Sequence, residues 1–169
     1  MVNVLHGELS EYENLEVVFE DFLKVDLNSY LNNNTLKKVK VIANLPYYIT
    51  TKLLEKICCH YASIDEVLVM IQKDVAIKLV SSTDIRDRLP FSVLMETVGT
   101  KEIAFDISRE IFHPAPHVDS SMIRLCFNRE EDIEAVDAYY RFIKTAFSSR
   151  RKKLTNNLKG VEFDLPLEA

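Results

Sequence analysis

Apolar positions in this chain follow two rhythms that alternate: short runs rich in β-branched residues, and longer stretches at helical spacing. Leu15 to Phe19 and Lys37 to Ala43 are runs of the first kind and predict strands. Thr50 to Tyr61 predicts a helix that buries Leu53, Leu54, Ile57 and Tyr61, with Thr50 or Thr51 as its cap. Ile64 to Ile71 is a continuous apolar run, the pattern of a strand buried on both faces of a parallel sheet. Gln72 to Val80 and Pro90 to Thr97 predict helices, the second stopped by Gly99, and Ser81 to Arg88 between them predicts a loop. Lys101 to Ile107 and Ser121 to Phe127 predict an antiparallel pair of strands. Ala135 to Ser148 spaces Val136, Tyr139, Tyr140, Phe142, Ile143 and Phe147 as a helix does, and Met1 to Tyr12 reads as the end of another. Strands alternating with helices in this order indicate an α/β fold.

A length of 169 residues suits one domain, or one domain with a small appendage. Hydrophobic content of 47% and charged content of 28% are ordinary for a globular protein. No apolar run approaches the roughly 18 residues of a membrane span, and the start does not resemble a signal peptide. Cys58 and Cys59 are adjacent and Cys126 stands alone, so no zinc spacing or disulfide framework is present. Reduced, buried thiols and a cytoplasmic location are expected. The net charge of −5 is unevenly spread. Met1 to Thr35 holds seven acidic residues against Lys24 alone, whereas Arg141 to Gly160 holds seven basic residues and no acidic one. Such asymmetry points to a surface that faces nucleic acid.

Candidate chemistry concentrates where the Lys37–Ala43 run ends, in Asn44-Leu45-Pro46-Tyr47. An exocyclic amine of a nucleobase is a poor nucleophile because its lone pair is delocalised into the ring. Two acceptors set against its N–H bonds favour a tetrahedral nitrogen and free that pair. The Asn44 side-chain oxygen can be one acceptor, and a backbone carbonyl at or near Leu45 the other. Pro46 fixes its own φ and biases Leu45 away from helix, which keeps these carbonyls outward. Tyr47 offers a π-face to a flipped-out base, a contact worth roughly 1–3 kcal/mol. The alternative is a plain strand-to-helix loop in which Tyr47 packs on the core. Further along, Pro114 and Pro116 stiffen the connection that carries Phe112, which can stack on the second face of the same base or plug the core. These prolines deny His113 and His117 a common helical face, so no metal site is expected. Arg150, Arg151, Lys152 and Lys153 can neutralise phosphates, or form a solvated helix face.

These segments together resemble the ribosomal RNA small-subunit adenine N6-dimethyltransferase family. Asn44-Leu45-Pro46-Tyr47 is similar to its motif IV, and Glu20-Asp21-Phe22-Leu23-Lys24-Val25-Asp26-Leu27 to the segment that contacts the adenine of S-adenosylmethionine. Gln72-Lys73-Asp74-Val75-Ala76, the run Phe112 to Ser120 and the run Ala146 to Leu158 also match, although His117 stands where a Lys is usual and Arg88 to Val93 departs from the pattern. The resemblance implies a Rossmann-like class I methyltransferase sheet over residues 1–127 and the start of a small C-terminal helical RNA-binding domain over 128–169. It implies S-adenosylmethionine as cofactor, with Asp21, Phe22 and Asn44 binding it, and Asn44, Leu45, Pro46 and Tyr47 as the catalytic segment. Tyr47 and Phe112 would sandwich the base, and Arg150 to Lys153 would hold RNA. The partner implied is small-subunit ribosomal RNA with adjacent adenines; neither membrane nor metal is implied.

The family's Gly-rich cofactor turn has no counterpart here, since the glycines are Gly7, Gly99 and Gly160. Alignment to the pattern places that turn, the first two strands and the ribose-binding carboxylate upstream of Met1, and further helices beyond Ala169. The sheet is therefore expected to be incomplete, with the Leu15–Phe19 strand either paired directly to Lys37–Ala43 or displaced. Weakened cofactor affinity and impaired activity are the corresponding expectations. A non-catalytic RNA-binding or ribosome-assembly protein derived from the fold is the alternative.

Overall fold

The computed structural model describes residues 2–31, 38–81, 89–128, 133–149 and 151–159. Strands β1 (Lys40–Asn44), β2 (Glu66–Gln72), β3 (Gly99–Ile107) and β4 (Ser120–Phe127) form one mixed sheet in the order β1-β2-β4-β3. β1 and β2 run parallel, in a register that sets Asn44 opposite Met70, while β4 is antiparallel to both β2 and β3. The helices are α1 (Val2–Glu8), α2 (Leu27–Leu31), α3 (Thr50–Cys58), α4 (Lys73–Val80), α5 (Pro90–Val98), α6 (Ile133–Ala146) and α7 (Leu154–Asn157).

Period-two alternation decides the core. Val67, Val69 and Ile71 of β2 and Ile123 and Leu125 of β4 point to one side and are fully buried. Against them pack Leu53, Leu54 and Ile57 of α3, Ala76 and Leu79 of α4, Phe91, Leu94 and Met95 of α5, and Val136 and Tyr140 of α6. Each buried Val, Leu, Ile, Phe or Met side chain among them contributes about 1.5–3 kcal/mol relative to exposure. The other side of the sheet is open. Ile42 is 76% and Phe105 53% exposed, and Leu68, Met70 and Met122 are half-buried. The expectation of a strand buried on both faces therefore fails for β2, because α3, α4, α5 and α6 contribute to one cluster on one side.

Leu15–Phe19 is not a strand. It belongs to none of the sheet's strands, with Phe19 83% exposed. Strand preference is mostly a preference for packing beside a neighbour, and here no neighbour is supplied. Of the two outcomes foreseen for this run, displacement is the one observed, and β1 forms an edge of the sheet. Residues 82–88, within the loop predicted above, lie outside the described residues, as do Lys37, 129–132 and 160–169. Cys58 is buried as expected, and burial, followed by the neighbouring Cys59, raises its thiol pKa. Cys59 is exposed and Cys126 half-buried, contrary to the expectation for all three.

Candidate active site

The Asn44–Tyr47 segment is shaped by the sheet on one side and a proline on the other. The ladder runs one residue past β1, through the Leu45 N–H donating to the Met70 carbonyl at 3.2 Å. Leu45, 5% exposed, plugs into the core and anchors the segment. Pro46 is extended (φ −60°, ψ 130°) and turns the chain into a short 3-10 turn, Tyr47–Ile49. Its carbonyl accepts the Ile49 N–H at 3.1 Å and the Thr50 hydroxyl at 3.0 Å. Thr50 thus braces the turn and does not cap α3, whose N-cap residue is Ile49. Asn44 is exposed, and its side-chain amide makes no hydrogen bond among the described residues. Tyr47 is half-buried, with its phenol oxygen 2.6 Å from the Ser120 hydroxyl at the start of β4.

Beside that contact lies a shallow, open cavity of about 280 Å³ lined by Asn44, Leu45, Pro46, Tyr47, Met70, Phe112, Pro114 and Pro116. The structure therefore brings Asn44, Tyr47 and Phe112 together from segments nearly 70 residues apart in the chain. The loop bearing Phe112 is stiffened by more than its prolines. Asp119 accepts the Arg109 N–H at 3.0 Å through its carboxylate and the Lys73 N–H at 3.0 Å through its carbonyl, and Arg109 Nη1 donates to the His117 carbonyl at 3.0 Å. A flat heterocycle between two rings, with an amide at its edge, suits this lining chemically.

The remaining candidates lie elsewhere. Asp21 is exposed, lines neither this cavity nor its neighbour, and spends one carboxylate oxygen on the Leu23 N–H at 3.0 Å. Phe22 lines a separate cleft of about 240 Å³ with Val18, Glu20, Val25, Leu27 and Tyr30. Two aromatic rings, three aliphatic side chains and one carboxylate fit a purine with an exocyclic amine. Arg151, Lys152 and Lys153 are exposed in a turn before α7, not on a helix, and Arg150 lies outside the described residues. Met70, Ser120, Glu20 and Tyr30 were not singled out by sequence. The register of β1 with β2 is the only signal that places Met70 at the site, and it is not local. His117 faces a third, polar cavity with Lys73, Asp74, Arg109, Glu110 and Asp119. Beside it, Lys73 Nζ pairs with Asp106 at 2.6 Å. Hydrogen bonds from Lys73 and then Ser121 hold the Asp106 carboxyl below its ordinary range, and the same partner raises the Lys73 ammonium.

The sequence profile described as ribosomal RNA adenine dimethylase matches residues 1–164. The chain is 37% identical over 159 residues to ribosomal RNA small subunit methyltransferase A of Fusobacterium nucleatum, covering 92% of this chain and 58% of that protein. It is 35% identical over 164 residues to the Streptococcus pneumoniae protein of the same name, covering 95% and 57%. The chain thus spans somewhat more than half the length of these relatives. Among solved structures, a dimethyladenosine transferase from Plasmodium falciparum superposes with a TM-score of 0.74 at 22% identity, over 94% of this chain and 55% of that one. The 23S rRNA methyltransferase ErmE superposes with a TM-score of 0.66, also at 22% identity, over 93% and 61%. At that identity the superpositions establish a shared, Rossmann-like fold.

Proposed function

The chain belongs to the ribosomal RNA adenine dimethylase family, and from that premise we propose that it carries the target-base site for N6-methylation of adjacent adenines in small-subunit ribosomal RNA. The observation that supports this reading is the meeting of Asn44, Tyr47 and Phe112 around one apolar cavity. Tyr47 and Phe112 hold the flipped base between their rings. The Asn44 side-chain oxygen accepts one amine hydrogen, and the Leu45 carbonyl accepts the second. The Pro46 carbonyl is committed to Ile49 and Thr50 and cannot serve. Holding the amine in one orientation supplies much of the rate, because a positioned nucleophile reacts as if at very high concentration.

S-adenosylmethionine, when bound, supplies an electrophilic methyl group. The Phe22–Tyr30 cleft would hold its adenine end, with Glu20 the carboxylate in its lining, and Asn44 would meet its reacting end. The exposed turn Arg151–Lys153 gives salt-sensitive, sequence-independent affinity for the RNA backbone. We assign residues 1–127 to the methyltransferase unit, residues 128–169 to the start of the RNA-binding unit, and the protein to the cytoplasm; among the described residues no helix is long and apolar enough to cross a membrane.

Calorimetric titration with S-adenosylmethionine, followed by transfer of labelled methyl to small-subunit RNA, tests the reading. The expected outcome is saturable binding, with transfer lowered about 100-fold or more in Asn44→Ala, the usual cost of a lost transition-state hydrogen bond. Absence of binding at millimolar cofactor would overturn it and leave RNA binding alone.

A further inference from the structure

Lys56 lies in the last turn of α3, the helix that begins six residues after Asn44. Its ammonium donates to three carbonyls of one short segment: Phe22 at 2.7 Å, Leu23 at 2.9 Å, and Val25. The same nitrogen stands 5.6 Å from the centroid of the Phe22 ring. An ammonium has three N–H bonds and no acceptor, so three carbonyls saturate it. The segment is itself a tight turn. Lys24 N–H and Val25 N–H both donate to the Asp21 carbonyl, at 2.7 and 3.2 Å, and Leu23 N–H donates to the Asp21 carboxylate. The turn's next carbonyls are thereby turned toward α3, where Lys56 gathers them.

Two of the three clasped residues, Phe22 and Val25, line the purine-sized cleft with Val18, Glu20, Leu27 and Tyr30. Residues 15–19, which lead into that cleft, belong to no strand of the sheet and are not held by a β-ladder. Among the described residues, Lys56 ties the cleft by three hydrogen bonds to the helix that continues from the Asn44 segment. We propose that Lys56 is a positioning residue for the cofactor: it fixes the Phe22–Val25 wall of the adenine cleft relative to the Asn44 end of β1. The proposal rests on the methyltransferase reading above. Lys56 acts through backbone carbonyls and touches neither cofactor nor base.

The test compares the parent chain with Lys56→Met, which keeps the stem and removes the donors, and Lys56→Arg, which restores them. The first readout is hydrogen exchange at the Lys24 and Val25 amides, which is independent of any ligand. Loss of charge-assisted hydrogen bonds predicts about tenfold faster exchange there in Lys56→Met, with the Val67–Ile71 amides unchanged. The second readout is S-adenosylmethionine affinity by calorimetry, beside KM and kcat for methyl transfer. Affinity falls about tenfold in Lys56→Met with kcat nearly kept, and Lys56→Arg recovers both readouts. Unchanged exchange, or faster exchange with unchanged affinity, would overturn the role of Lys56 and leave the methyltransferase reading standing. Failure of the parent chain itself to bind cofactor would overturn that reading, and this inference with it.

Discussion

Tyr47 and Ser120 are 73 residues apart, and the 2.6 Å bond between their hydroxyls orients the ring proposed above to stack on the base. Ser120 is fully buried, so Ser120→Ala leaves the half-buried Tyr47 phenol without this partner. A loss of about 1 kcal/mol is expected in urea denaturation. In the methyl-transfer assay the same variant raises the KM for RNA several-fold and changes kcat less, because the ring is misaimed but not removed. Tyr47→Phe, which deletes the other half of the bond, gives the same signature. The chemistry of Asn44 to Tyr47 was legible in the sequence because four adjacent residues carry it. The Ser120 partnership was not, because only pairing of β4 with β2 delivers that hydroxyl to the site.

At the scale of elements, Gly99 joins α5 to β3 for a reason of space. Its φ of 171° is ordinary extended backbone, yet a Cβ there would stand 2.0 Å from the Cys126 carbonyl oxygen. Gly99→Ala must push β3 away from β4 where the pair begins. A cost of about 1–3 kcal/mol is expected in thermal or urea denaturation, the range for overpacked sites. A variant as stable as the parent would mean that β3 yields without loss. Sequence alone read Gly99 as a helix stop and did not anticipate the close approach of β4. The helices α3, α5 and α6 were legible because an amphipathic period survives wherever one face meets a core. Leu15–Phe19 was misread for the complementary reason, since β-branched residues favour a strand only when a partner lies beside them.

Across the whole molecule, the α4–β3 ion pair adds a small pH-dependent contribution to stability. Asp106 is held below its ordinary pKa, so its contribution is complete at neutral pH and lost as pH falls through the lowered value. Lys73 is raised, so its contribution is complete below the ordinary lysine range and lost as pH rises through the raised value. Both groups are well exposed, and solvent screening keeps the contribution small. Denaturation midpoints are expected to decline below about pH 4 and above about pH 10.5, near the unperturbed values of the two groups. Asp106→Asn reduces the acid limb and leaves the core's contribution intact. A parent and variant with superimposable acid limbs would assign the decline to other carboxylates.

The sequence by itself determined the α/β class, the family, and the contiguous segment Asn44 to Tyr47 on which the proposed base site rests, because these are written in local periodicity and in contiguous motifs. It also determined the apolar faces of α3 and α6. Only the tertiary structure decided that β2 is buried on one face, that Leu15–Phe19 stays out of the sheet, and that Phe112 meets Tyr47 across one cavity. It alone placed Asp21 outside both clefts and set Lys56 against the turn beside it. The physical reason is the same in each case. Burial and hydrogen bonding between distant segments depend on which partner arrives, and a local pattern states only what a residue would accept.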